Sequence, residues 1–535
     1  MAAAASAADA ASALPPLPSL LAALALAWYA AIWCISLLGL HTARRLYSPP
    51  IPASPLSSLA DDVQRAAANG TPAQTCGASA SPSAPGVSIL RPLAGLDHNL
   101  LGNLCAAFEQ RYPRDSFEII LSVRDEHDQA LAVARDVAAR YPEVKSRIVV
   151  GDETAGVNPK INNLVVPYSL AAFDILWVLD AQCSLSPTAL GRAVDALVRS
   201  PPAVPSPRFL RRLPLFGGAT YARGSTARVG LVHHVPLAVS PSANLGSQVE
   251  RAFLSTNHAK MYLAINTLSV DSCVMGKSNL FCKSDLARVP DAFFGVDEQG
   301  TSGEAGAIGS SAFAATASTE GVASGAARPL ARFSIYLAED NMLALSLMRP
   351  PLGLHHALAP GDAVHTSVGG ISSLRAYASR RMRWIRVRKR MVLAATLLEP
   401  ITESIVAGLL AAWGLRRLVL APRELGGTAE ACALAAFLAA HHVLWYNVDY
   451  GVMLALRAGT PLPPSERGVF RIAYAVRELL ALPIWVGAMC GNTVTWREQR
   501  FRILPSGRAA HAEPAARWRR GGYERIRGEE DERAA

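Results

Sequence analysis

No two of the eight cysteines in this 535-residue chain form a CxxC pair; they fall at positions 34, 76, 105, 183, 273, 282, 432 and 490. That scatter gives no zinc-type spacing and fits reduced thiols better than a disulfide framework. Also missing is any interleaving of basic and aromatic residues of the kind that binds RNA. The excess of 52 Lys and Arg over 42 Asp and Glu therefore does not point to nucleic acid. Charge is absent altogether from Ser19 to Leu40 (SLLAALALAWYAAIWCISLLGL), and no Lys or Arg precedes that run. The run is too long for the apolar core of a cleaved leader and has no small-residue cleavage site, which sets a secretory signal aside.

What is present is apolar bulk: 51% of the residues are hydrophobic and the mean hydropathy is +0.21. A purely soluble protein is disfavoured by those values. The first run, roughly 20 residues long, has the length that crosses a bilayer core as a helix. Asp9 precedes it and Arg44 and Arg45 follow it. The positive-inside rule then places the amino terminus outside and the following domain in the cytosol. The net charge of +10 comes largely from arginines near apolar segments and in the tail RWRRGGYERIR, which suit anionic membrane lipid as a partner.

The expected organisation is a tail over 1–18, an anchor over 19–40 and a Pro-, Ala- and Ser-rich linker over 41–86. From Val87, short apolar strands (GVSILRPL, FEIILSVRD, SRIVVG, DILWVLDA) alternate with amphipathic helices (LLGNLCAAFEQRY, ALAVARDVAARY, INNLVVPYSLAAF). That alternation predicts an α/β, Rossmann-like, mostly parallel sheet over 87–390. Two stretches, 201–228 and 300–330, read as surface insertions. Membrane-associated helices follow over 391–496, with two or three spans, and a basic polar tail over 497–535. Glu399, Glu403, Asp449 and Glu478 interrupt the late apolar segments. Carboxylates at that depth face a protein interior, pair with Arg or His, or mark segments lying at the interface.

In a parallel sheet, ligands gather at the carboxyl ends of the strands. That rule selects Asp125 and Asp128 in VRDEHD and Asp180 in WVLDAQ. Asp125 and Asp128 serve equally well as turn or helix-cap residues. Asp180 closes the apolar string ILWVL, where a carboxylate needs a metal, a cation or a ligand beside it. Two further motifs carry charge: YLAEDN, with Glu339 and Asp340, and RRMRW, with Arg380, Arg383 and Trp384. Helix-start acids and a juxtamembrane basic cluster are the plainer alternatives for these.

Together, GVSILRPLAGLDHNL, VRDEHD, GVNPKINNL, ILWVLDAQ, VGLVHHVP, YLAEDN, SRRMRW, LLEPITES and TVTWREQRFR resemble the ceramide glucosyltransferases, within the inverting GT-A glycosyltransferases. The resemblance runs from about Gly86 to Arg502. It implies that Asp128 is the family's first aspartate, with Asp125 beside it for uridine. It makes Asp180 the second, near the donor phosphates and a metal, and Asp340 the third, the catalytic base. Arg380, Arg383 and Trp384 fit a (Q/R)xxRW motif whose cations stabilise the departing diphosphate. His233 matches a donor-site histidine. Lys160, flanked by Asn158 and Asn162, becomes a donor-binding group, although Asn158 equally suits a helix cap.

Asp180-Ala181-Gln182 is not a DxD, so a Mg²⁺ or Mn²⁺ ion follows from the donor diphosphate rather than from a visible ligand set. What the resemblance implies is transfer of glucose from UDP-glucose to the primary hydroxyl of ceramide with inversion, on the cytosolic face of a Golgi or ER membrane. Rival readings are a polyprenyl-phosphate glycosyltransferase or a polysaccharide synthase of the same fold and, from another class, an inactive membrane scaffold. The sequence carries no signal for oligomeric state.

Overall fold

Each apolar run expected between Val87 and Asp180 is a strand or a helix in the computed structural model, which describes residues 16–51, 53–57, 84–198, 228–239, 241–269, 273–295, 328–424, 426–496 and 499–512. Val87–Pro92 (β1), Phe117–Val123 (β2), Ser146–Val150 (β3) and Ile175–Leu179 (β4) lie parallel in the order β3-β2-β1-β4. Two strands from later in the chain, Val229–His233 (β6) and Ser278–Cys282 (β8), extend the sheet: β8 runs antiparallel to both β4 and β6. His355–Leu358 (β9) completes it, parallel to β6. A small second sheet joins Cys183–Ser184 (β5), Val364–Ser367 (β10) and Pro236–Val239 (β7). The result is a mixed, mostly parallel sheet.

β1, β2 and β4 are buried along their whole lengths, as strands covered on both faces must be. Side chains alternate between the faces. Ile89, Ile119, Leu121 and Trp177 pack with Leu104, Phe108, Ala134 and Leu190. Leu90, Ile120, Leu176 and Val178 pack on the other side with Ile161, Leu164, Tyr168 and Leu347. The two-residue period of a strand sets this division, and each aliphatic side chain so buried contributes about 1.5–3 kcal/mol.

The anchor is longer than expected: the helix Leu17–Tyr47 carries Arg44 and Arg45 in its last turn, where the helix dipole favours cations. It lies against the helix Ala259–Leu268, and the approach is close at Gly39, where an added Cβ would stand 2.4 Å from the Lys260 carbonyl oxygen. Thr42 and Thr267 share a 3.0 Å hydroxyl hydrogen bond at the same contact. Among the described residues, three more helices are long and apolar enough to cross a membrane: Ser404–Arg423, Gly427–Leu456 and Pro464–Met489. The apolar run before them is broken into Leu393–Leu398, a 3-10 turn at Glu399–Thr402, and the helix from Ser404. Pro400, which lacks an N–H, stands at the break.

All four carboxylates of the late apolar segments have cationic partners. Glu399 pairs with Arg388 and Arg381, Glu403 and Glu478 with Arg477, and Asp449 with Lys260. The expected insertions fall almost entirely outside the described residues. Their described edges belong to the domain: Ala331–Ile335 is a 3-10 turn that buries Phe333. The tail expected from 497 likewise opens with folded strands. Gln499–Ile503 (β12) pairs with Thr493–Trp496 (β11) and Ala509–His511 (β13).

Candidate active site

The loops leaving β1 and β2 at their carboxyl ends are tied together by Asp128. Its carboxylate accepts from the Gly95 N–H at 2.9 Å and from the Ala130 N–H at 2.8 Å, which closes the turn leading into the helix Ala130–Arg140. Asp125 accepts from the His127 N–H at 2.9 Å and is exposed. Both therefore hold turns, at the sheet edge where ligands collect.

At the end of β4, Asp180 lies between two lysines. Lys160 Nζ stands 2.8 Å from its Oδ1 and Lys277 Nζ 2.9 Å from its Oδ2. Lys160 enters from the first turn of the helix Pro159–Leu170, capped by Asn158, whose Oδ1 accepts from the Lys160 and Ile161 N–H groups. The same Asn158 donates through Nδ2 to the Tyr336 carbonyl at 2.7 Å and to Glu339 Oε2 at 2.8 Å. Lys160 Nζ also donates to the Gly276 carbonyl at 2.9 Å and lies 3.2 Å from Glu339 Oε1. Asn158 is thus both the helix cap and the strap that fixes the YLAEDN segment.

Burial alone would raise the Asp180 carboxyl, but the Lys160 and Lys277 ammonium groups outweigh it and hold the acid well below the ordinary range. Burial likewise opposes the Lys160 charge, yet Asp180 and Glu339 drive its pKa well upward. Asp340 goes the other way. Burial and the adjacent Glu339 carboxylate push it up to about 7, with Lys160 offsetting part of the rise. A carboxylate so placed exchanges its proton near neutrality, which suits a general base. Gly276 packs closely against it: a Cβ there would stand 3.0 Å from Asp340 Oδ2 and 3.1 Å from Lys160 Nζ.

The metal expected on Asp180 does not fit this arrangement. Each Asp180 oxygen already faces an ammonium group, and Glu339 is engaged by Lys160 and Asn158. Among the described residues no three His, Cys, Asp or Glu side chains group as a metal site. A divalent cation would have to displace two like charges to reach one carboxylate.

His233 is fully buried in β6, with its Nδ1 2.5 Å from the Tyr262 hydroxyl. Burial raises the Tyr262 phenol, and Asp340 is among the negative groups that add to the rise.

The RRMRW residues lie on the helix Leu374–Arg388, capped by Ser373. Arg380 donates to buried Glu250 at 2.9 Å, and its guanidinium sits 4.6 Å from the Trp384 ring centroid. Arg383 lies 5.8 Å from the Trp496 ring centroid. This helix meets the acidic segment through an apolar cluster of Leu337, Ala338, Val387, Val494, Phe501, Ile503 and Ala509. The C-terminal strands thereby join the base-bearing segment to the arginine helix.

Sequence reasoning missed Lys277 and Glu250. Lys277 reaches Asp180 only because β8 pairs antiparallel with β4, and MGKSN has no distinguishing pattern. Glu250 sits in an amphipathic helix, Leu245–Phe253, where an acid ordinarily faces solvent.

The sequence profile of glycosyl transferase family 21 matches residues 59–204, 220–290 and 328–509. A protein of Komagataella phaffii named ceramide glucosyltransferase is 34% identical over 456 residues, covering 79% of this chain and 83% of that protein. One of the same name from Pyricularia oryzae is 30% identical over 517 residues, covering 89% and 92%. Among solved structures, a mannosyltransferase of Pyrobaculum calidifontis in complex with GDP-Man and Mn²⁺ is 16% identical with a TM-score of 0.37; it covers 86% of this chain and 99% of its own, a likeness too slight to carry weight.

Proposed function

The chain belongs to glycosyl transferase family 21, and from that premise we propose that it transfers glucose from UDP-glucose to the primary hydroxyl of ceramide, with inversion. Curated relatives bear the ceramide glucosyltransferase name over most of both chains. The observation that carries the assignment of roles is Asp340: a carboxyl pushed up to about 7, with Gly276 packed against it and Lys160 close by.

In the proposed step, the acceptor oxygen attacks the anomeric carbon from the face opposite the diphosphate. Asp340 takes the hydroxyl proton, the bond from the anomeric carbon to the diphosphate oxygen breaks, and UDP leaves with that electron pair. One displacement inverts the centre and needs one base. Arg380 and Arg383 stabilise the charge that develops on the leaving group, and Trp384 shapes the adjoining pocket. Asp125 and Asp128 border the uridine end. Glu339 and Asn158 hold Lys160 and the segment bearing Asp340. Four helices long enough to span a bilayer keep the lipid acceptor beside a catalytic domain that faces the cytosol, where nucleotide sugars are made, on a Golgi or ER membrane.

The test is transfer from radiolabelled UDP-glucose to ceramide in membranes expressing this chain, with UDP-galactose and a polyprenyl phosphate in parallel. Labelled β-glucosylceramide is the expected product. Label in polymer or in polyprenyl lipid would overturn the acceptor, and no transfer with any pair would favour a scaffold.

A further inference from the structure

Lys277 is the one group of the lysine-aspartate cluster that sequence reasoning did not find, and it has donor capacity to spare. Lys160 spends its three N–H groups on Asp180, Glu339 and the Gly276 carbonyl. Lys277, also an ammonium with three N–H groups, makes one polar contact among the described residues, with Asp180 Oδ2 at 2.9 Å. Its side chain is only 7% exposed. A buried ammonium with unused donors is costly unless a ligand meets it.

Charge within the cluster balances, Lys160 and Lys277 against Asp180 and Glu339, so what distinguishes Lys277 is its unused N–H groups. Its position is fixed by the backbone: the Lys277 N–H donates to the Met275 carbonyl at 2.7 Å, and the Asp180 N–H to the Lys277 carbonyl at 3.1 Å. Gly276, within that turn, lies against Asp340, where an added Cβ would stand 3.0 Å from Oδ2. One short turn therefore carries both the ammonium bound to Asp180 and the glycine packed against Asp340.

We infer that Lys277, with Lys160 behind it, binds the diphosphate of the nucleotide-sugar donor in place of a protein-held divalent cation. Asp180 is the spacer that keeps the two ammonium groups apart and fixed, rather than a metal ligand. The inference rests on the nucleotide-sugar reading above. It adds a donor-binding residue and the expectation that donor binding needs no metal.

The experiment is calorimetric binding of UDP, UDP-glucose and uridine to the full chain purified in lipid nanodiscs, in EDTA and again with Mg²⁺ or Mn²⁺. Wild type is expected to bind UDP in EDTA within about twofold of its affinity with metal. Lys277→Met should weaken UDP by about tenfold or more, the scale of a lost charge-assisted hydrogen bond, and leave uridine unchanged. Lys277→Arg should restore most of the loss. Loss of wild-type UDP binding on chelation would overturn the clamp, as would wild-type UDP affinity in Lys277→Met. The metal comparison needs no variant, so it decides even if Lys277→Met does not fold. A wild type that binds neither UDP nor UDP-glucose under any condition would sink the nucleotide-sugar reading itself.

Discussion

Lys260 and Asp449 form an ion pair at 2.7 Å with both side chains fully excluded from solvent. The pair joins the helix Ala259–Leu268, which also carries Tyr262, to the membrane-length helix Gly427–Leu456. Trp445 offers its ring 4.0 Å from the Lys260 ammonium, and the Tyr474 hydroxyl donates to Asp449 at 2.7 Å. The contact fixes the catalytic domain against the apolar helices. Removing one partner strands the other, so Asp449→Ala is expected to destabilise the protein by about 3–5 kcal/mol. The double variant Lys260→Met, Asp449→Leu should recover much of that. Thermal unfolding in detergent, followed by intrinsic fluorescence, checks both; a double variant less stable than Asp449→Ala alone would refute the pairing.

Asp340 must be ionised to accept a proton, so the rate is expected to fall as pH drops below about 7. Glu339 is one of the groups that raise it, and removing a neighbouring negative charge makes the proton easier to lose. Glu339→Gln should therefore move the acid limb of the kcat/KM profile to lower pH. Asp340→Asn should cut kcat by about 10²–10⁴-fold while leaving UDP-glucose affinity within a few-fold. Normal turnover in Asp340→Asn would remove it from the mechanism.

Gly276→Ala places a methyl 3.0 Å from Asp340 Oδ2 and 3.1 Å from Lys160 Nζ. Displacing the base by a fraction of an ångström should lower kcat by about ten- to a hundredfold. The melting temperature should hold, because the clash falls on side-chain ends and not on packed backbone. Steady-state kinetics beside a melting curve separates the two effects.

Glu250 is buried and bonded to Arg380. If it serves to hold that guanidinium toward the leaving group, Arg380→Ala and Glu250→Gln both reduce kcat/KM, the first by about 10²–10³-fold. The double variant should be little worse than Arg380→Ala, the non-additivity expected of residues acting as one unit. Multiplicative losses across the four-way kinetic comparison would show that Glu250 acts elsewhere.

By itself the sequence determined the four parallel strands β1 to β4 and most of the chemistry's raw materials. A strand such as ILWVL is apolar because both its faces are covered, and that pattern is local, legible without knowing any partner. It also put Asp180 at the end of a buried strand, where an isolated charge is too costly to stand alone. Only the tertiary structure decided how that cost is met. Lys277 arrives because β8 runs antiparallel to β4, Lys160 because Asn158 caps its helix and ties it to Glu339. The membrane carboxylates follow the same logic: hydrophobicity marked Asp449 and Glu403 as needing partners, while the choice of Lys260 and Arg477 came from helices that cross far apart in the chain. Burial is written in local composition, but the pairing of charges depends on distances that only the folded chain sets.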